Sequence, residues 1–365
     1  MKKENVLVAM SGGVDSAVCA SLLGDQGYSV EGLTLRLWSE SEKLPDGEVV
    51  TPDQNCVDAA AVAACLGFPH HCVSRGASFR CTVVEPFIEA YAKGMTPNPC
   101  VECNRFVKFG VMVEWAKEHG FERLATGHYA RIERSQEGEF LLKKAKDEKK
   151  DQSYFLWSIS KDVLPFLLFP LGEYTKEEIR QIAEARRLPV AHRSDSQDIC
   201  FVPDGDYVAF IEKNSSLTFP EGNFLDVDGN ILGKHSGLVR YTVGQRKGLG
   251  IALGHPAFVG RLSPENNTVT LLSDKELYTD HLRASRVNWL KAVDLSAPIR
   301  VEAKIRYRHT PSAAWVTCME DGGVSVVFDQ PQRAVTPGQS VVFYEGDTVL
   351  GGGIIDPPQV NGKET

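Results

Sequence analysis

No apolar run in the 365 residues approaches the ~20 needed to cross a membrane as a helix. The opening Met1-Lys2-Lys3-Glu4-Asn5 leads into an apolar run of only Val6 to Met10, too short for the core of a secretory signal. The expectation is a soluble, cytoplasmic protein. Positive charge is also short: the formal net charge is -8 and neither half of the chain is basic. The broad basic footprint of a nucleic-acid-binding domain is therefore missing. Any RNA contact has to come from local clusters. Candidates are Lys143-Lys144-Ala145-Lys146 with Lys149-Lys150, Arg246-Lys247, and Arg306-Tyr307-Arg308-His309. There is no internal repeat and no low-complexity tract. What remains is ordinary globular composition, 42% hydrophobic and 24% charged, at a length that suggests two or three domains.

The nine cysteines read as thiols and not as a disulfide framework, given the missing export signal. Cys19, Cys56 and Cys65 lie in Ala-rich helical stretches, Cys72 and Cys81 near element ends, and Cys318 in a β-rich tail. All six are expected to behave as small hydrophobes. Cys100, Cys103 and Cys200 stand apart.

Short apolar runs alternate with helical patterns in the first half. Strands are expected at Val6–Met10, Val30–Trp38, near His71–Val73 and at Leu124–Thr126. Helices are expected over 15–27, 55–66, 78–92 and 106–118, with a Gly/Pro-rich loop before the last. This alternation implies a parallel sheet with right-handed crossovers, and sites gather at the carboxyl ends of its strands. Glu139–Leu142 reads as a hairpin arm, and Thr175–Arg187 as a helix with Thr175 as N-cap and Glu178 at N3. After Cys200 helices nearly vanish. Alternating segments at 299–306, 314–319, 324–328 and 340–343 read as a small C-terminal β-barrel. Residues 207–278 are rich in Gly and carry no legible fold. The division is 1–206, 207–278 and 279–361.

Ser11-Gly12-Gly13-Val14-Asp15-Ser16 sits directly between a buried strand and a helix. Two glycines let the backbone approach an anion without Cβ interference, and the helix N-terminus presents N–H groups to phosphate. Ser11 and Ser16 add hydroxyls, and Asp15 is placed to hold a magnesium ion bridging phosphates. The lysine of a Walker loop is absent. The hexapeptide resembles the loop of the N-type ATP pyrophosphatases, which adenylate a carbonyl-type oxygen.

Further blocks narrow the resemblance. They are Thr96-Pro97-Asn98-Pro99-Cys100-Val101-Glu102-Cys103-Asn104, Ala125-Thr126-Gly127-His128-Tyr129 and Lys150-Asp151-Gln152-Ser153-Tyr154-Phe155-Leu156. Asp195-Ser196-Gln197-Asp198-Ile199-Cys200-Phe201, Thr242 to Gly250 and Val335-Thr336-Pro337-Gly338-Gln339 follow. Together they resemble the bacterial tRNA-specific 2-thiouridylases over essentially the whole chain. The resemblance implies a fold: an α/β, parallel-sheet, adenine nucleotide α-hydrolase-like (PP-loop) domain, a small central domain and a tRNA-contacting C-terminal β-barrel. It implies ATP-dependent 2-thiolation of the wobble uridine, in which the uracil C2 oxygen is adenylated and replaced by sulfur. ATP would be held by Ala9, Met10, Ser11, Gly12, Gly13, Val14, Asp15 and Ser16, with Leu35 through its backbone and Gly127. Asn98, Pro99, Cys100, His128, Lys150, Asp151, Gln152, Arg306, Tyr307 and Gln339 match tRNA-contacting positions. Unaided, His128 reads as a satisfied strand-end histidine and 150–152 as a solvated charge run. Cys103 matches the nucleophile and Cys200 the persulfide carrier, and the two close a disulfide during turnover. Both are then expected in partly exposed, electropositive surroundings.

One position departs from the pattern. Much of the family has aspartate where this chain has Cys100, which opens a second route. Cys100, Cys103 and Cys200 are candidate ligands of a [4Fe–4S] cluster whose fourth iron binds hydrosulfide. The sulfur donor is accordingly a persulfide carrier or sulfide. Two other readings compete. A superfamily ligase with a nitrogen nucleophile leaves Cys103 and Cys200 without a purpose. A zinc-stabilised RNA-binding protein needs four closed ligands, and only Cys200 joins the Cys100–Cys103 pair.

Overall fold

The computed structural model describes residues 3–38, 53–194, 199–202 and 204–358, so Asp195, Ser196, Gln197 and Asp198 lie outside the described residues. Contacts group the chain into two units. The first comprises residues 1–84, 100–201 and 347–349; the second comprises 85–99, 202–346 and 350–365.

The first unit begins with β1 (Asn5–Ala9), α1 (Val14–Asp25), β2 (Ser29–Arg36), α2 (Gln54–Leu66), β3 (His70–Ser74) and α3 (Gly76–Phe79). A π-helical stretch, Arg80–Val84, runs on into α4 (Glu85–Ala92), where the chain enters the second unit. It returns with α5 (Pro99–Glu102), a π-helical stretch Cys103–Val111 and α6 (Met112–Glu118), continuous with one another. Then follow β4 (Arg123–Thr126), the hairpin β5 (Ala130–Arg134) and β6 (Phe140–Lys144), β7 (Leu167–Leu168) and α7 (Lys176–Ala185). The sheet order is β3-β2-β1-β4-β7, and every pairing is parallel. Val6, Leu7 and Val8 are fully buried, which accounts for the unbroken apolar run. The order reverses at β1, so the carboxyl ends of β1 and β4 flank the crevice where such sheets take ligands.

The second unit contains two cores. α8 (Tyr207–Asn214) precedes β8 (Gly222–Leu225), β9 (Ile231–His235), β10 (Phe258–Ser263) and β11 (Thr268–Leu272), in the order β10-β11-β8-β9. Phe224, Tyr241, Val259 and Val269 fill this first core. The second core is enclosed by β12 (Tyr278–Trp289), β13 (Ile299–Lys304), β14 (Ser312–Cys318), β15 (Val324–Arg333), β16 (Ser340–Glu345) and β17 (Thr348–Ile355). They run β12-β15-β14-β13-β16-β17, and β12 pairs back with β17, closing a six-stranded barrel. No helix among the described residues is long and apolar enough to cross a membrane.

Three expectations are corrected. Cys56 and Cys72 are not separate small hydrophobes but a disulfide, formed because α2 packs its first turn against β3. Cys65, Cys81 and Cys318 are exposed, which leaves Cys19 as the buried apolar thiol of the six. The helix expected at Phe106 starts seven residues earlier, at Pro99. Pro99 occupies a first-turn position that tolerates proline, and the π register of 103–111 breaks the 3.6-residue period by which the helix is recognised.

Candidate active site

The loop after β1 is shaped by its own hydroxyls and gripped from outside. Ser16 Oγ donates to Gly13 O (3.1 Å) and accepts from Ser11 N (3.3 Å). Gly12 has φ +72°, and a Cβ there would lie 2.8 Å from Asn55 O, so only glycine fits. Arg193 Nη1 donates to Gly12 O (2.8 Å) and pairs with Asp58, while Nη2 donates to Asn55 Oδ1 (3.0 Å). Thr34 Oγ1 holds Met10 O at 2.8 Å, beside Leu35 on β2. α1 has no side-chain cap, which leaves its first N–H groups available to an anion. Gly127 closes the opposite wall. A Cβ on it would sit 2.9 Å from the Asp15 carbonyl carbon and 3.0 Å from Ser16 N.

Asp15 is committed. Both its oxygens accept from Lys176 Nζ (2.7 and 2.9 Å), and Tyr129 donates its hydroxyl to Oδ1 (2.7 Å). The carboxylate does not fit the magnesium role expected of it, because a metal would have to displace the ammonium. Lys176 is 8% exposed and occupies the first position of α7, fixed by the Thr175–Glu178 capping box. The pair neutralises the loop, so a triphosphate meets N–H donors and hydroxyls without facing a bare carboxylate. Lys176 lies 161 residues from Asp15, and no local pattern announces it. Arg193 is equally silent in the sequence; Tyr129 stands in a quoted block.

Cys100, Cys103 and Cys200 share one neighbourhood, close enough that their charges influence one another. Cys103 opens the π stretch, and its neighbour Asn104 donates to Phe155 O (3.0 Å). Ser158 Oγ adds a bond to Val101 O (3.2 Å). Phe155 and Ser158 thus hold the helical turn that carries Val101, Cys103 and Asn104. Cys200 sits on a turn whose Phe201 packs edge-on against Phe79, with ring centroids 5.5 Å apart. Cys103 is buried and burial pushes its thiol up to about 12, whereas the expectation was a partly exposed group. Cys100 and Cys200 are exposed as residues, yet burial around their sulfurs still raises both thiols. Lys108, five residues after Cys103 and still within the π stretch, opposes the rise at all three. It is the electropositive group the chemistry requires, and it went unnoticed as an isolated lysine. Among the described residues no group of three or more His, Cys, Asp or Glu side chains is arranged to hold a metal ion.

His128 is buried at the end of β4. It lies 2.6 Å from Thr126 Oγ1 through Nδ1 and 3.5 Å from Lys108 Nζ through Nε2. Burial, then the Lys108 charge, hold its pKa well below the ordinary histidine value. The ring is neutral, so Nδ1–H donates to Thr126 and Nε2 accepts from the lysine.

Family models cover nearly the whole chain. The tRNA methyl transferase HUP domain family matches residues 4–204, the tRNA methyl transferase PRC-barrel domain 209–273, and the aminomethyltransferase beta-barrel domain 279–355. A tRNA-specific 2-thiouridylase from Acetivibrio thermocellus is 48% identical over 97% of this chain and 100% of its own length. The chain belongs to the tRNA-specific 2-thiouridylase family. Members from Caldanaerobacter subterraneus (47% identical, 96% of this chain and 97% of theirs) and Clostridioides difficile (44%, 97% and 98%) match as fully.

The remaining family positions fall into two groups. In the first unit, Asp151 is buried and not solvated. Its carboxylate accepts from Ala145 N (3.0 Å), Ser153 N (3.2 Å) and Ser153 Oγ (2.8 Å). Gln152 exchanges backbone and side-chain bonds with Tyr129, at 2.8 and 2.9 Å. Lys150 is half-buried. In the second unit, Gln339 Nε2 donates to Thr96 O (2.8 Å), and Thr96 N donates to Pro337 O (2.9 Å). Gly338, at φ +88°, leaves no room for a Cβ against Thr96 N. The Pro-Gly turn of the barrel thereby fixes the segment that leads into Asn98 and Pro99. Arg306 is exposed, with Nη1 donating to Arg333 O (3.0 Å), and Tyr307 lies under Lys304 Nζ at 5.6 Å.

Proposed function

We propose that this chain is an ATP-dependent tRNA sulfurtransferase that converts the wobble uridine to 2-thiouridine. The observation that carries the reading is a pairing within one unit. An uncapped phosphate loop and a cluster of three thiols around Lys108 lie in the unit built on the parallel sheet, in a chain 48% identical to a 2-thiouridylase across its whole length. The domain division that goes with it is 1–206, 207–278 and 279–361.

A magnesium ion would arrive bound to the ATP phosphates and screen their charge. The α1 N–H groups, Ser11 and Ser16 hold the triphosphate, and Gly127 lets β4 close against α1. The uracil C2 oxygen attacks the α-phosphorus and pyrophosphate leaves. The terminal sulfur of a Cys200 persulfide then adds to C2, and AMP departs, leaving C2 joined to Cys200 through two sulfurs. Cys103 thiolate attacks the Cys200 sulfur, forming the Cys103–Cys200 disulfide and releasing 2-thiouridine. Lys108 favours the thiolate at each stage. A dithiol reductant and a persulfide donor restore the starting state. Lys150, Arg306, Tyr307 and the barrel turn at Gln339 meet the tRNA through shape and backbone contacts, with the base flipped out. Asp151 supports this only through the turn it builds.

Cys200→Ser separates the two halves of the reaction. AMP formation dependent on tRNA should persist while 2-thiouridine, measured by nucleoside mass spectrometry, disappears. Full thiolation by this variant would transfer the sulfur step to another route, and iron together with loss of activity in Cys100→Ala would point to the cluster.

A further inference from the structure

The Cys56–Cys72 disulfide has no part in the sulfur-transfer sequence, yet both of its ends touch the grip on the nucleotide loop. Cys56 lies in the first turn of α2, between Asn55 and Asp58. Those two residues hold Arg193, whose Nη1 donates to Gly12 O at 2.8 Å. Asn55 O also sits 2.8 Å from where a Cβ on Gly12 would stand. Cys72 lies on β3, in register with Thr34 of β2. Thr34 Oγ1 donates to Met10 O at 2.8 Å. The bridge, with Cα atoms 6.2 Å apart, thus ties α2, whose first turn holds Arg193 against Gly12, to β3, the strand paired with the one that holds Met10.

The two sulfurs differ in access. Cys56 is 1% exposed, while Cys72 is half-buried on β3, the edge strand of the sheet. Cys72 is therefore the more exposed residue of the pair.

We propose that Cys56–Cys72 is a thiol–disulfide exchange site for small dithiols, attacked at Cys72 on the edge strand β3, and that the closed bridge holds the loop in its ATP-binding shape. In the exchange, one thiolate of the dithiol attacks Cys72 Sγ. The Cys56–Cys72 bond breaks, and Cys56 leaves as a thiolate that takes up a proton. The second thiol then attacks its partner sulfur in the mixed disulfide and expels Cys72. Two electrons pass from the dithiol, which leaves as its own disulfide. Once open, the first turn of α2 is tied to the sheet only by packing, and the Arg193 and Asn55 contacts to Gly12 loosen.

This inference rests on the loop binding ATP, and the test separates the two claims. Full-length protein is prepared air-oxidised, and again after dithiothreitol treatment under nitrogen. Alkylation with peptide mass spectrometry reports Cys56 and Cys72, and calorimetry reports the Kd for ATP. The expected result is a closed pair in the first sample, an open pair in the second, and an ATP affinity lower by about fivefold, as for one positioning hydrogen bond. Cys56→Ala/Cys72→Ala should show the weaker affinity in both conditions and no redox response, although Cys103 and Cys200 are intact. Equal affinity in wild-type samples shown to be closed and open overturns the switch and leaves ATP binding standing. So does free alkylation of Cys56 and Cys72 in the oxidised protein, or a response that persists in the double variant. Absence of ATP binding in both samples overturns the reading of the loop and the switch with it.

Discussion

Asp15 shows how one side chain's partners decide its job. Its carboxylate is tied to Lys176 and Tyr129, so its contribution to ATP is a fixed, neutralised loop wall. Lys176→Met leaves a half-buried carboxylate without its cation, and stability should fall by about 1–3 kcal/mol. Tyr129→Phe removes one hydrogen bond and should cost about 1 kcal/mol, both read from urea unfolding. The two effects should not add, because both act on Asp15. Cys103 makes a second residue-level claim. With its thiol pushed up to about 12 by burial, Cys103 carries little thiolate at pH 8, so iodoacetamide should label it far more slowly than exposed Cys318. Fast labelling of Cys103 in the substrate-free protein would contradict the burial argument. His128 gives a pH signature. Its folded pKa is depressed below 6.5, so the unfolded chain binds more protons, and stability is complete above pH 6.5 and lost as pH falls below it. His70, His235 and His309 are depressed by burial as well and share the slope. His128→Asn should flatten the fall by up to about 1.4 kcal/mol per pH unit between pH 6.5 and 5, in denaturation midpoints taken across that range. An unchanged slope would mean that His128 titrates alike in the folded and the unfolded chain.

At the scale of elements, glycines set how closely the parts of the site approach. Gly127→Ala places a methyl against the Asp15 and Ser16 backbone, where neither helix nor strand has slack. ATP binding should be lost while tRNA binding is kept, as filter binding of labelled tRNA would show. Thr175→Ala breaks the capping box, at a cost of about 1 kcal/mol, and should weaken AMP formation because Lys176 starts the same helix. These elements differ in how visible they are in the sequence. β1, α1 and the Ser11–Ser16 loop are legible because a buried strand, two glycines and a helix start follow one another without interruption. The barrel is legible through its alternating strands. The helical run 99–118 is misread at its start because a π register does not repeat every 3.6 residues. Residues 207–278 defeat pattern reading because Phe224, Tyr241, Val259 and Val269 reach one core from short, separated segments. The Lys176–Asp15 and Cys56–Cys72 pairs are tertiary, and nothing local to either partner encodes them.

For the whole molecule, a net charge of -8 has to coexist with binding a polyanion. Local lysines and arginines release counterions from RNA, so tRNA affinity should fall as salt rises, with a slope of about -0.7 per single-strand phosphate neutralised. Arg306→Ala should make that slope shallower, and a salt-independent affinity would remove Lys150 and Arg306 from the RNA contact. The family and the order of its parts were legible across the full chain, because the quoted blocks span both units. The sulfur route is not, because Cys100 in place of aspartate admits two chemistries. The most direct test of the account couples its two halves in one tube. Full-length protein, unmodified tRNA, ATP and a persulfide donor are incubated, and AMP and 2-thiouridine are counted in the same sample. One AMP for each 2-thiouridine, with neither formed when tRNA or ATP is omitted, is the predicted result; 2-thiouridine made without ATP, or AMP released equally without tRNA, would contradict it.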